Sequence, residues 1–276
     1  MLEYPITVGG VTTRVLEGGV REGGTREPLV LVHGVGARAD RWRTTIETLA
    51  PEGFRAVAMD LPGHGFATKG PDLPYSVPYF ASFILEAMTE LGISRANLVG
   101  TSLGGQIVGE AACQAPDRVA NVVMVGAVGL VDNADLTARI GAGMLADDAS
   151  VESVRSRLAR VCGRQDLITE DWVYEEWRFS QDMQATRPAL GQYMRDRVEG
   201  DIVTPRLNAL RDDLGVLLVW GEAEGSVPLE VGTRSAAAIP RAELVTIPGG
   251  GHGVYYEQPE AFNKAVINFL DRSPAA

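Results

Sequence analysis

A chain of 276 residues is long enough for one large domain or two small ones, and 45% hydrophobic with 22% charged residues is the balance of a globular enzyme. Its formal charge of -11 at pH 7 argues against partners that are themselves anionic, so neither nucleic acid nor an acidic membrane surface is expected. No apolar run approaches the roughly 18–20 residues of a spanning helix.

The opening MLEYPITVGGVTTRVLEGG alternates polar and apolar side chains over residues 6–16, which predicts an antiparallel hairpin on a sheet edge. It has neither the basic start nor the apolar centre of a signal peptide, so the expected location is the cytoplasm. Short, continuously apolar runs then recur at 28–34, 54–60, 96–100, 119–127, 215–221 and 242–249. Such runs suit strands covered on both faces. Helix-like stretches at 39–50, 77–91, 103–115 and 260–271 separate them. Strand and helix therefore alternate, the pattern of an α/β fold with a doubly wound, mostly parallel sheet.

The rhythm breaks between residues 131 and 206. No core strand is predicted there, only amphipathic helices such as SVESVRSRLARVCG and EDWVYEEWRFSQDM. We read 1–130 and 207–276 as the core domain and 131–206 as an inserted helical cap over the carboxyl edge of the sheet. Cys113 and Cys162 have no metal-ligand spacing and are expected to be small buried side chains rather than a disulfide.

Gly100-Thr101-Ser102-Leu103-Gly104 closes one predicted strand and opens the next predicted helix, the setting in which G-x-S-x-G displays a nucleophile. The bland alternative is that the glycines only let helix and strand pack, with Ser102 a packing hydroxyl. A serine hydroxyl is a poor nucleophile at neutral pH and needs a base and an orienting acid. His252, between glycines after the last strand, supplies the base. Glu224, four residues past Trp220 at the end of the preceding strand, supplies the acid. The first N–H of the helix, that of Leu103, is aimed where an oxyanion would develop. Gly34-x-Gly36 is too incomplete to be a dinucleotide fingerprint.

With LVHGVG, MDLPGHG, GTSLGG, VWGEAEGSVP and GGGHGVYYEQPEAF in place, the chain resembles the α/β-hydrolase fold family over nearly its whole length. The resemblance is to the capped branch of esterases, lipases and carbon–carbon bond hydrolases. It implies a second oxyanion donor in the N–H of Val35, and no cofactor or metal. It also implies structural roles for His33, which steadies the oxyanion loop, and for His64 and Asp60, which brace a turn. Family members usually carry Asp at the acid position. Glu222, and Asp132 beyond the preceding strand, therefore stay open as alternative acids.

The expected activity is a serine hydrolase acting on a small hydrophobic ester or similar acyl substrate. Ser102 at the elbow argues against the epoxide hydrolases and haloalkane dehalogenases, which use Asp there. A carbon–carbon hydrolase of the meta-cleavage type is the runner-up, suggested by GHGVYYEQPEAFN. Those relatives carry Trp directly after the base and Asn before the serine, where this chain has Gly253 and Thr101. A receptor-like ligand binder with little turnover is a third reading. In the cap, Trp172, Trp177 and Met183 are candidate pocket residues, although a stripe with Tyr174 and Phe179 also suits the cap's own core. Arg178, Arg187 and Arg195 are expected to be solvated. Self-association into a homo-oligomer is left open.

Overall fold

The computed structural model describes residues 1–21, 26–196 and 202–272. Eight strands form one sheet: β1 (Leu2–Val8), β2 (Val11–Gly18), β3 (Leu29–Val32), β4 (Ala56–Met59), β5 (Ala96–Thr101), β6 (Val119–Val125), β7 (Gly215–Gly221) and β8 (Ala242–Ile247). Their spatial order is β1-β2-β4-β3-β5-β6-β7-β8. The predicted hairpin is β1–β2, which joins β4 antiparallel; all later pairings are parallel. Every residue of β3, β4, β5 and β6 is buried, which is why these strands read as unbroken apolar runs.

Successive side chains of a strand point to opposite faces, so each run divides between two cores. Val30 and Val32 of β3 and Val122 and Met124 of β6 lie with Phe80 and Ile84 of α2 (Val77–Glu90) and Ile107 of α3 (Leu103–Gln114). Leu29, Leu31, Val123 and Val125 lie instead with Ile46 of α1 (Arg43–Leu49) and with Phe262 and Val266 of α11 (Pro259–Arg272). Local chemistry sets the helix starts. The Ser76 hydroxyl accepts the Tyr79 N–H at 3.3 Å and Pro78 follows in the first turn of α2, where a missing N–H costs nothing. The predicted helix over 39–50 begins as a 3-10 turn, Ala39–Trp42, before α1.

Between β6 and β7 the chain runs through α4 (Ala134–Ala146), α5 (Val151–Val161), α6 (Glu170–Asp182), α7 (Arg187–Arg195) and α8 (Thr204–Asn208), with no strand among the described residues. Residues 197–201 of the predicted cap, and 22–25 and 273–276 of the predicted core, lie outside the described residues. Leu190 and Met194 of α7 join the main core, whereas Val154, Leu158 and Val173 make a separate cluster between α5 and α6. Charge ties α6 to the sheet edge: buried Glu176 pairs with Arg38 and, at 2.8 Å, with Arg41. The Arg38 guanidinium also lies 3.8 Å from the Phe179 ring centre.

Three features depart from the sequence expectation. Arg187 is 8% exposed rather than solvated, donating to the Ser180 carbonyl at 3.0 Å and the Asp147 carbonyl at 3.3 Å. The carbonyls ending α6 lack helical partners, and the guanidinium answers one of them. Helices α9 (Leu229–Ala238) and α10 (Val254–Glu257) were not predicted, because α9 buries only Val231, Gly232 and Ser235 and α10 is one turn long. Both cysteines are free, but Cys113 is only half-buried.

Asp60, just past β4, is fully buried and receives the Ala39 N–H at 2.7 Å, the Phe66 N–H at 3.0 Å and Arg14 Nε at 3.1 Å. Asp60→Ala would leave the Ala39 and Phe66 amides without their acceptor and Arg14 with only Asp40 and Glu3 as partners. We expect a loss of about 1–3 kcal/mol, read as a fall in the denaturant midpoint at unchanged slope.

Candidate active site

The sheet reverses its winding between β3 and β5, and in open α/β sheets the crevice at the strands' carboxyl ends opens at such a point. Register brings four neighbouring strands to that edge at one level: Thr101 pairs with Val125, Val125 with Val219, and Gly221 with Ile247. The loops leaving these strands carry Ser102, Gly126, Glu224 and His252.

Ser102 has φ 56° and ψ -120°, a backbone conformation that side chains rarely adopt and that costs about 1–3 kcal/mol. Its N–H donates to the Val125 carbonyl at 2.8 Å and its carbonyl accepts the Gly105 N–H at 3.0 Å. Gly100 and Gly104 make this corner possible. A Cβ on Gly100 would fall on the Gly104 carbonyl, and one on Gly104 would fall on the Val32 and His33 carbonyls. The glycines therefore serve packing, and what they allow is a serine, 8% exposed, turned outward at a strained bend. Among the described residues its Oγ has no hydrogen-bond partner, and it is not bonded to His252.

His252 and Glu224 do meet. Nδ1 of His252 donates to Oε2 of Glu224 at 2.7 Å. The other oxygen, Oε1, accepts the N–H groups of Ser226 at 2.6 Å and Val227 at 3.0 Å, so the turn after β7 holds the carboxylate. The Glu224 side chain is 1% exposed, where an ionised carboxylate needs such donors. Because the carboxylate accepts, the neutral imidazole carries its hydrogen on Nδ1 and leaves Nε2 as an acceptor, the tautomer of a general base. Burial of the ring opposes the cation, but the Glu224 carboxylate outweighs it and holds the His252 pKa above its ordinary value. Imidazole and carboxylate both lie against Gly126, where a Cβ would come within 3.1 Å of either. That glycine was not singled out in the sequence; its only signal there was its position closing the run VMVG.

Asp132 and Glu222 are exposed, and neither bonds to His252. The amides of Val35 and Leu103, on the loop after β3 and at the first turn of α3, are both without a partner among the described residues. His33 is bonded through both nitrogens, Nδ1 to the Gly34 carbonyl at 2.8 Å and Nε2 to the Leu61 N–H at 2.9 Å. Burial pushes its pKa down to about 4, and that of His64, whose ring stands edge-on to it at 5.1 Å, down to about 3. Neither ring is available as a base. Trp172 and Trp177 pack on the small cluster between α5 and α6, and Met183 belongs to the main core. The edge of Trp172 also meets the Tyr256 ring at 5.8 Å, four residues beyond His252. Among the described residues no group of three or more His, Cys, Asp or Glu side chains is set to hold a metal ion, and no helix is long and apolar enough to cross a membrane.

Residues 27–259 match the family model described as the alpha/beta hydrolase fold. An uncharacterized hydrolase of Bacillus subtilis, YugF, is 30% identical over 251 residues, covering 89% of this chain and 90% of its own. A 2-hydroxy-6-oxononadienedioate/2-hydroxy-6-oxononatrienedioate hydrolase of Comamonas testosteroni is 26% identical, covering 91% and 90%. Among solved structures, a bacterial membrane phospholipase A superposes with a TM-score of 0.88 at 24% identity, over 100% of this chain and 87% of its own.

The largest favourable influence on the His252 pKa is the Glu224 carboxylate, ahead of the more distant Glu257. In Glu224→Gln the burial that opposes the cation stays and the charge that favours it goes. Imidazole titration followed by NMR should therefore fall to or below the ordinary value; an unmoved titration would contradict the assignment.

Proposed function

The chain belongs to the alpha/beta hydrolase fold family, and from that premise we propose that it is a serine hydrolase cleaving an ester or similar small hydrophobic acyl substrate. The observation that carries this reading is the 2.7 Å bond from Nδ1 of His252 to Glu224, which leaves Nε2 to accept a proton at the edge where the elbow presents Ser102. Ser102 Oγ attacks the carbonyl carbon while Nε2 of His252 takes its proton. Glu224 keeps the imidazole in its tautomer and stabilises the imidazolium. The N–H groups of Leu103 and Val35 donate to the oxyanion, an effect worth about 2.7–4 kcal/mol per donor in related chemistry. His252 then protonates the departing alkoxide, and water, deprotonated by the same nitrogen, releases the acid and restores Ser102. The helices of residues 131–206 serve in this reading as a cap over the substrate. Of the three candidate pocket side chains, Trp172 is the one whose ring meets the segment following His252.

The Comamonas relative favours a second reading, carbon–carbon bond hydrolysis of the meta-cleavage type. Two residues weigh against it. A Cβ on Gly253 would fall inside the Tyr256 ring, so the space beside the base is already filled where those relatives carry Trp. Thr101 stands where they carry Asn, and its hydroxyl is buried without a partner among the described residues, so it cannot stand in for an amide facing substrate.

Competing substrates separate the readings. We expect kcat/KM for p-nitrophenyl esters to exceed that for a vinylogous 1,5-diketone, and a fluorophosphonate probe to label the wild type but not Ser102→Ala. The same substitution should cost about 10³-fold or more in ester turnover. Preference for the diketone would reverse the order, and no labelling with tight ligand binding would favour a receptor.

A further inference from the structure

A second buried carboxylate grips the backbone on which His252 sits. Glu257, the last residue of α10, is 2% exposed and accepts four main-chain N–H groups. Two come from the neighbours of His252 on either side, Gly251 at 3.0 Å and Gly253 at 2.9 Å. The other two come from the turn after α5, Gly163 at 2.7 Å and Arg164 at 3.1 Å. The N–H of His252 itself donates at 2.9 Å to the carbonyl of Val161, the last residue of α5. All three amides from 251 to 253 are thus held by Glu257 or by the inserted helices, and none by the sheet. The two loops touch without intervening side chains: a Cβ on Gly163 would stand 2.8 Å from the Gly251 nitrogen, and one on Gly251 would strike Gly163.

We propose that Glu257 is a positioning residue for the base, locking the 251–253 backbone to the turn at 161–164 so that the imidazole stays on Glu224 only while that turn is docked. The proposal rests on the serine-hydrolase reading. A carboxylate suits the place because four donors converge on it and it offers none in return; an amide would turn its NH2 against one of them. The negative charge also favours the imidazolium, after burial and the nearer Glu224 have acted. Other titratable or charged groups packed around this loop are Tyr255 and Tyr256 on α10, Cys162 and Arg164 after α5, and Arg41 in the turn before α1.

The test compares wild type, Glu257→Gln and Glu257→Asp on p-nitrophenyl butyrate across pH, with thermal melting as the check on folding. For Glu257→Gln we expect kcat to fall on the order of tenfold or more with KM changed less than about twofold, since the base is misplaced and the acyl site is not. The acidic limb of kcat/KM should move to lower pH, because removing a negative charge lowers the His252 pKa. Glu257→Asp keeps the charge and should keep the limb. A folded Glu257→Gln with wild-type kcat and an unmoved limb would overturn the proposal. Amide exchange in the wild type needs no variant: Gly163, Gly251 and Gly253 should open as one protected set, and fast exchange of the two loop glycines while Gly163 stays protected would overturn the lock. Wild type that neither hydrolyses the ester nor takes the fluorophosphonate would instead remove the hydrolase reading, and with it this role.

Discussion

The geometry of this edge depends on how closely α3 approaches β3 and β5. That approach is open only to a chain without side chains at 100 and 104, and it forces Ser102 into a left-handed bend. The strain of about 1–3 kcal/mol is outweighed by what the helix buries. Ile107, Val108 and Ala111 are fully buried, and one buried valine or isoleucine contributes about 1.5–3 kcal/mol. A strained residue held by the packing of its helix has little freedom to relax, so a nucleophile carried there is kept forward by the core itself.

The carboxylates around this edge obey a second constraint. Removing an ionised carboxylate from water is costly unless donors replace the lost hydration. Glu224 has two amides and an imidazole, Glu257 four amides, Asp60 two amides and Arg14, and Glu176 two guanidinium groups. Each such set links segments distant in the chain. Glu176 joins α6 to the loop after β3, and Glu257 joins the end of α5 to the loop after β8. The helices between β6 and β7 are therefore tied to the rest of the chain by buried charge as well as by apolar contact, at the two loops nearest the proposed oxyanion donors and base.

Much of the fold was legible in the sequence, for a physical reason. Strands covered on both faces must be continuously apolar, so β3 to β7 could be read directly; β8, at the sheet edge with only Ile247 buried, keeps a partly apolar run, and the alternation of 6–16 marked the edge hairpin. Helices with a strong apolar stripe, such as α2 and α11, were equally plain. Those that bury little, α9 and α10, were not. At the site, Ser102 and His252 stood out because glycines flank them. The acid was less sharply marked: Glu224 was preferred from its place just past a strand end, but Glu222 and Asp132 also follow strand ends closely enough to compete.

What the linear order determined by itself was the set of chemical groups and the loops that carry them, because apolar periodicity and glycine spacing are local properties of a chain. Only the folded molecule decided which carboxylate reaches the imidazole, that Arg187 turns inward to carbonyls, that Trp177 packs on the cluster between α5 and α6, and that Glu257 gathers amides from two loops. Those outcomes depend on distances between segments far apart in sequence, and such distances are fixed by strand register and by where side chains are absent.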